Sequence, residues 1–104
     1  MKRKTIYISG QITGLDINDA KAKFQDAVDY VCENMEYEPL NPFDICEQKP
    51  EYTWLDYMRA DIKALVDCEA IIMLDNWEES DGAKLELIIA QGLKMKIYYI
   101  LDKN

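Results

Sequence analysis

The sequence predicts an α/β domain: a flavodoxin-like three-layer sandwich around a four-stranded parallel sheet of order 2-1-3-4. Three observations carry this expectation. Short apolar, β-branched runs alternate with longer stretches of helical periodicity almost from residue 1. Successive runs are separated by single helices, and a crossover of that kind leaves neighbouring strands parallel and the connection right-handed. The length of 104 residues suits one domain, residues 1–104, with a modest core.

The first strand is Thr5-Ile-Tyr-Ile-Ser9, ended by Gly10, and Gly10 and Gly14 bracket a short loop. Asp16 or Asn18 can cap a helix running to about Asn34, with Ala20, Phe24, Ala27, Val28 and Val31 at helical spacing. Tyr37 to Leu40 reads as a short second strand, stopped by Asn41-Pro42. A loop with Pro42 and Pro50 follows. The second helix starts near Glu51–Thr53 and runs to about Val66, its inner face being Leu55, Met58, Ile62, Leu65 and Val66. Ala70 to Leu74 is the third strand, and Asp75 to Gly82 is a loop of turn formers and acids. Ala83 to Gln91 is the third helix, with Gly92 expected as the left-handed residue just past its end. Lys96 to Leu101 is the fourth strand. With helices on both faces, the ligand crevice of such a sheet opens outside the carboxyl ends of the first and third strands. Gly10 and the Trp77–Gly82 loop are expected to meet there.

Charge and composition narrow the function. The net charge is -8, with no basic footprint for a polynucleotide or an anionic membrane surface. A small nucleoside or nucleotide stays compatible with that field, because local backbone N–H groups can hold a phosphate. There is no histidine, and the cysteines at 32, 46 and 68 have no metal-ligand spacing. No metal and no cofactor are expected, and the isolated cysteines suit a reducing compartment. No run approaches the length of a membrane span and no leader is apparent, so a cytoplasmic location is the expectation.

The most informative segment is Trp77-Glu-Glu-Ser-Asp-Gly-Ala-Lys-Leu-Glu86. On a helical wheel Glu86 falls opposite Lys84 and Gln91 and is flanked by Ala83, Ile89 and Ala90. A carboxylate in an apolar flank costs several kcal/mol unless it has partners or a task. The position fits either a helix-surface glutamate at a sheet edge or a carboxylate facing the cleft. Tyr7 and Ser9 alternate onto one face of the first strand, where Tyr7 is either plain core or a hydroxyl reaching the cleft. Asp61 sits beside Met58, Ile62 and Leu65 on its helix. It is either a boundary residue or a second carboxylate projecting over the sheet rim towards Glu86. Two converging carboxylates would have their pKa values pushed apart, giving one nucleophile or base and one acid.

The spacing around Gly10 matches neither a dinucleotide fingerprint nor a Walker loop. It leaves a sharp strand-to-helix turn or a close backbone approach to a small ligand. Ser80 or Asp81 is a natural N-cap, and the same helix start, with Gly82, offers N–H groups to a phosphate or sugar hydroxyl. Trp77 can be a stacking surface for a planar ring, a cover for the strand end or a subunit contact. Tyr52, Trp54 and Tyr57 form an aromatic patch suited to an interface or a pocket wall. With Tyr98 and Tyr99 they exceed what so small a core hides, so a homodimer or larger even homo-oligomer is expected.

Five pieces, in order along the chain, carry a family resemblance. They are Tyr7-Ile-Ser-Gly10-x-Ile-Thr-Gly14, Asn41-Pro42, Trp54-x-x-Tyr57-x-Arg59-x-Asp61, Asp67-Cys-Glu-Ala-Ile-Ile-Met-Leu74 and Trp77-x-x-Ser80-x-Gly-Ala-x-x-Glu86. The chain resembles the nucleoside 2-deoxyribosyltransferase superfamily, and within it the small DUF4406-type proteins of bacteria and phages. The resemblance implies Glu86 as the nucleophile at the anomeric carbon, Tyr7 as the residue that orients it and Asp61 as an assistant near the sugar and departing base. It implies that Gly10, Trp77, Ser80, Asp81 and Gly82 lie on the substrate side, with Ser80 at the spacing of a 5′-phosphate-binding serine of the related deoxynucleotide hydrolases. Those hydrolases carry an arginine in the first loop where this chain has Thr13, and the transferases place an aspartate at the position of Ser80. A deoxynucleoside or deoxynucleotide is the implied ligand, with hydrolysis or base exchange as the implied reaction. A non-catalytic nucleotide-binding or interaction module on the same fold is the competing expectation.

Overall fold

In Ile6-Tyr-Ile-Ser9 alternate side chains point to opposite faces, and all four are buried. That is the mark of a strand covered on both sides. The computed structural model describes residues 3–46 and 49–100. Strand β1 spans Thr5–Ser9, helix α1 Ile17–Asn34, β2 Glu38–Leu40, a short α2 Pro42–Ile45 and α3 Trp54–Leu65. Strand β3 spans Ala70–Met73, a 3-10 turn Trp77–Glu79, α4 Asp81–Gly92 and β4 Lys96–Tyr99. The sheet has four strands in the order β2-β1-β3-β4, and every pairing is parallel, with Tyr7 opposite Leu40 on one side and Ile71 on the other. This is the expected topology.

The two faces have separate cores. Ile6, Ile8, Ala70, Ile72 and Leu74 pack on Phe24, Ala27 and Val31 of α1. Tyr7, Ile71 and Met73 pack on Leu65 of α3 and on Ala83, Leu87 and Ala90 of α4. The helices therefore cover both sides of the sheet.

Local chemistry sets the helix starts. Asp16 accepts from the Asn18 and Asp19 N–H groups at the head of α1 (2.9 and 3.2 Å). Thr53 and Asp56 close a reciprocal capping box on α3 (2.8 and 3.2 Å). Ser80, rather than Asp81, caps α4 by accepting from the Ala83 N–H at 3.1 Å.

Several expectations are corrected. Pro42 does more than end β2: it is the first residue of the four-residue α2, capped by Asn41, which accepts from the Phe43 N–H. On α3 the buried stripe runs through Met58, Asp61 and Leu65, while Leu55 and Val66 are exposed. The helix is rotated so that Asp61 lies at the centre of its inner face. Gly92 is still helical, and the left-handed residue is Lys94, at φ 58. The Met95 N–H donates to the Ala90 carbonyl and the Lys94 N–H to that of Gln91, a Schellman closure. Met95 packs on the α3/α4 core, and this contact sets the turn two residues beyond the glycine. The expected end of β4 at Leu101 lies outside the described residues.

Candidate functional site

The polar side chains of the sheet interior collect at its carboxyl edge. Strand alternation points Tyr7 and Ser9 to the α4 side, and the apolar stripe of α4 brings Glu86 down onto them. The Tyr7 hydroxyl donates to Glu86 Oε2 at 2.8 Å, and the Ser9 hydroxyl donates to Glu86 Oε1 at 2.6 Å. All three residues are buried, Glu86 at 4% exposure. A carboxylate with a short hydroxyl bond on each oxygen is fixed in position and orientation. Glu86 is thus a cleft residue rather than a surface glutamate.

A cavity of about 300 Å³ lies over this group. Its polar side holds Glu86, Tyr7, Asp61 and Ser80; its apolar wall includes Phe24, Pro42, Trp54, Tyr57 and Met58. Asp61 is 8% exposed, and among the described residues it has no hydrogen-bond or ion-pair partner.

Burial dominates the electrostatics. Desolvation pushes Glu86 up to about 7, aided by the nearby charge of Asp61 and opposed by the Ser9 and Tyr7 hydrogen bonds. Desolvation alone pushes Asp61 up to about 6. Burial, then the Glu86 charge, hold the Tyr7 phenol well above its ordinary value, so it stays a donor at all working pH values. The two carboxyls therefore exchange protons near neutrality, where acid–base chemistry is most useful.

Two loops frame the cavity, and they are tied together. The Gln11 N–H donates to Asn76 Oδ1 at 3.1 Å, joining the turn after β1 to the turn after β3. Gly10 is required there, because a Cβ would stand 2.6 Å from Leu74 Cδ1 and 2.9 Å from Leu74 Cβ. At Gly82 a Cβ would meet Met58 Sδ at 3.1 Å, so the small residue lets α4 approach α3 beside the cavity.

Of the residues singled out from sequence, Glu86, Tyr7, Asp61, Gly10, Ser80 and Gly82 line this one cavity. Trp77 and Asp81 do not. Trp77 packs against the α3/α4 core and tilts over Tyr99, with ring centroids 6.2 Å apart, so it covers the strand end. Asp81, in the first turn of α4, turns its side chain to solvent at 94% exposure. Trp54 and Tyr57 serve as pocket wall. Sequence reasoning missed Ser9 as a partner of Glu86. The signal was its shared face with Tyr7, but the carboxylate it meets is 77 positions away. Among the described residues no group of three or more acids or cysteines is placed to hold a metal ion, and no helix is long and apolar enough to cross a membrane.

Fold and site together define a doubly wound α/β domain with a buried, hydroxyl-held carboxylate under a cavity at the sheet's carboxyl edge. The chain belongs to the family described as a domain of unknown function, DUF4406, which matches residues 4–99. No curated protein matches the chain significantly.

Proposed function

We propose that the protein cleaves the N-glycosidic bond of deoxynucleosides or deoxynucleotides, with Glu86 as nucleophile. One observation carries this reading: a buried glutamate held on both oxygens by Tyr7 and Ser9, facing a cavity shared with a second carboxyl, Asp61, that has no partner among the described residues. The resemblance to the nucleoside 2-deoxyribosyltransferase superfamily, through the motifs around Tyr7, Asp61 and Glu86, supports the same assignment.

The reaction suits these groups. A Glu86 oxygen attacks the anomeric carbon as the carbon–nitrogen bond breaks, and the electron pair leaves on the base nitrogen. Asp61, protonated, gives its proton to the departing base. The oxocarbenium character that develops on the sugar is stabilised by the Glu86 charge, and a glycosyl-enzyme ester forms. Water then attacks the same carbon, passing its proton to Asp61 and freeing the Glu86 carboxylate. A second base attacking instead, and giving its proton to Asp61, completes a transfer. The productive state needs Glu86 ionised and Asp61 protonated. In the free site Glu86 has the higher pKa and takes a shared proton first, so the reactive form is the one with the proton on Asp61 and the charge on Glu86, where the Tyr7 and Ser9 hydroxyls stabilise it.

Assembly is part of the same reading. Trp54, Leu55 and Tyr99 are each about half exposed, at 49, 49 and 47%. A homodimer or larger even assembly would cover such residues. A reducing, cytoplasmic setting fits the isolated cysteines.

The test is incubation with a panel of deoxynucleosides and their 5′-monophosphates, with and without free adenine, read by chromatography. Free base without acceptor indicates hydrolysis, and base exchange indicates transfer. Glu86→Ala should abolish either activity and leave the fold intact. Asp61→Asn should remove the basic limb of the pH profile, because the acid that must be protonated is gone. Binding without turnover by the wild-type protein would make it a nucleotide-binding module. Neither binding nor turnover would leave the resemblance as one of fold only.

A further inference from the structure

We infer that the cavity selects an uncharged ligand, a nucleoside in preference to its 5′-phosphate, an inference that rests on the nucleoside reading of this site. The lining is the first ground. Among the described residues it contains two carboxyls, Asp61 and Glu86, and no lysine or arginine. Four described cations each contact a group outside that lining. Lys23 pairs with Asp75, Lys21 lies over the Phe43 ring and Lys49 over the Tyr52 ring. Arg59 is turned to Asp56.

Backbone donors are the second ground, because a phosphate can be held without cations by free N–H groups at a loop or helix start. Here one donor on each framing loop is already in use. The Gln11 N–H is taken by Asn76 Oδ1 and the Ala83 N–H by Ser80 Oγ. The start of α4 also carries Asp81 in its first turn, just after Glu78 and Glu79 in the 3-10 turn. A dianion at this helix end would enter a field of like charge.

The third ground is what the cavity does offer. Asp61 lines the cavity and has no partner among the described residues. No buried side-chain oxygen there is left unsatisfied, so its carboxyl oxygens reach the cavity and can accept from an N–H of a base or a sugar hydroxyl. The lining also includes Phe24, Pro42, Trp54 and Met58, an apolar surface that suits a planar ring. Donor groups and an apolar face are properties of a neutral nucleoside, and a terminal phosphate adds only charge that nothing lining the site neutralises.

The experiment is calorimetric titration of the full chain as Glu86→Gln, which prevents turnover, with each of the four deoxynucleosides and each 5′-monophosphate. Steady-state KM values for the wild-type chain provide a second measurement if the variant does not fold. The expected result is that at least one nucleoside binds roughly tenfold or more tightly than its monophosphate, the scale set by like charges at short range. Thr13 lines the cavity, and Thr13→Lys should narrow the ratio by raising monophosphate affinity. Monophosphates binding as tightly as nucleosides, or an unchanged ratio in a folded Thr13→Lys chain, would overturn the inference and leave the glycosidic-bond reading standing. Nucleosides that bind selectively and are never cleaved would sink the catalytic reading and leave the selectivity intact. No binding by any of the eight would remove both.

Discussion

Glu86 holds its proton more tightly in the folded chain than an exposed glutamate does, up to about 7 against 4.5. A folded-state pKa that is raised gives stability that is complete below about pH 4.5 and is lost as pH rises through 7. The size is on the order of 3 kcal/mol if the whole shift counts towards folding. Glu86→Gln removes this dependence. Urea unfolding should find the variant close to wild type at pH 5 and more stable by roughly 1–3 kcal/mol at pH 8. Equal differences at both pH values would mean that Glu86 does not titrate as a buried group. Ser9 acts through Glu86, favouring its ionised form. Ser9→Ala should therefore move the acidic limb of kcat/KM to higher pH, with a loss of roughly tenfold or more at pH 6 from one charge-assisted hydrogen bond. A loss of rate with an unmoved limb would reduce Ser9 to packing. At this scale the sequence was legible where a wheel or an alternation put a polar group on an apolar face, as at Glu86 and Tyr7. Asp61 was half legible, because its own helix offered Leu55 and Val66 as rival inner residues. Trp77 and Asp81 lay beside the right turn, but only packing could show that one covers Tyr99 and the other faces water.

Elements were legible through their boundaries. Asp16, Thr53 and Ser80 are short polar residues ahead of periodic runs, and each caps the helix that follows. The short α2 was invisible to periodicity, since four residues do not complete a repeat that could be recognised. The end of α4 misled for a different reason. A glycine in sequence marks where a left-handed turn is cheap, but the chain turns where Met95 reaches the core, and Lys94 bears the strain. Lys94→Gly should relieve it. The expected gain is roughly 0.5–1 kcal/mol, after allowing for the greater freedom of glycine in the unfolded chain. In a domain of this size that is a rise of about 2–8 °C in Tm, measurable by calorimetry. A lower Tm would show that the Lys94 side chain makes a contact worth more than the backbone strain.

For the whole molecule, topology was the most legible property, because crossover length and handedness leave few arrangements open to alternating strands and helices. Assembly is the least legible, since a single chain does not print its partner's surface. The exposed aromatic and aliphatic residues of α3 and β4 favour self-association, and the net charge of -8 opposes it. Light scattering coupled to size exclusion should report a dimer or larger even species at micromolar concentration, tightening with salt as the like charges are screened. A monomer under those conditions would remove the assembly.

The hydroxyl-held carboxylate under the cavity has a consequence for how the chain would change if its activity ceased to matter. Glu86 occupies a helix face whose other inward residues, Ala83, Leu87 and Ala90, are apolar, so a neutral replacement that still accepts hydrogen bonds favours folding above neutral pH. Relaxed selection would then let foldedness and function part at this one codon. In a mutant library screened only for protease resistance at pH 8, glutamine, which keeps an acceptor for the buried hydroxyls, should displace glutamate at position 86, while Gly10 persists because Leu74 leaves no room for a larger residue.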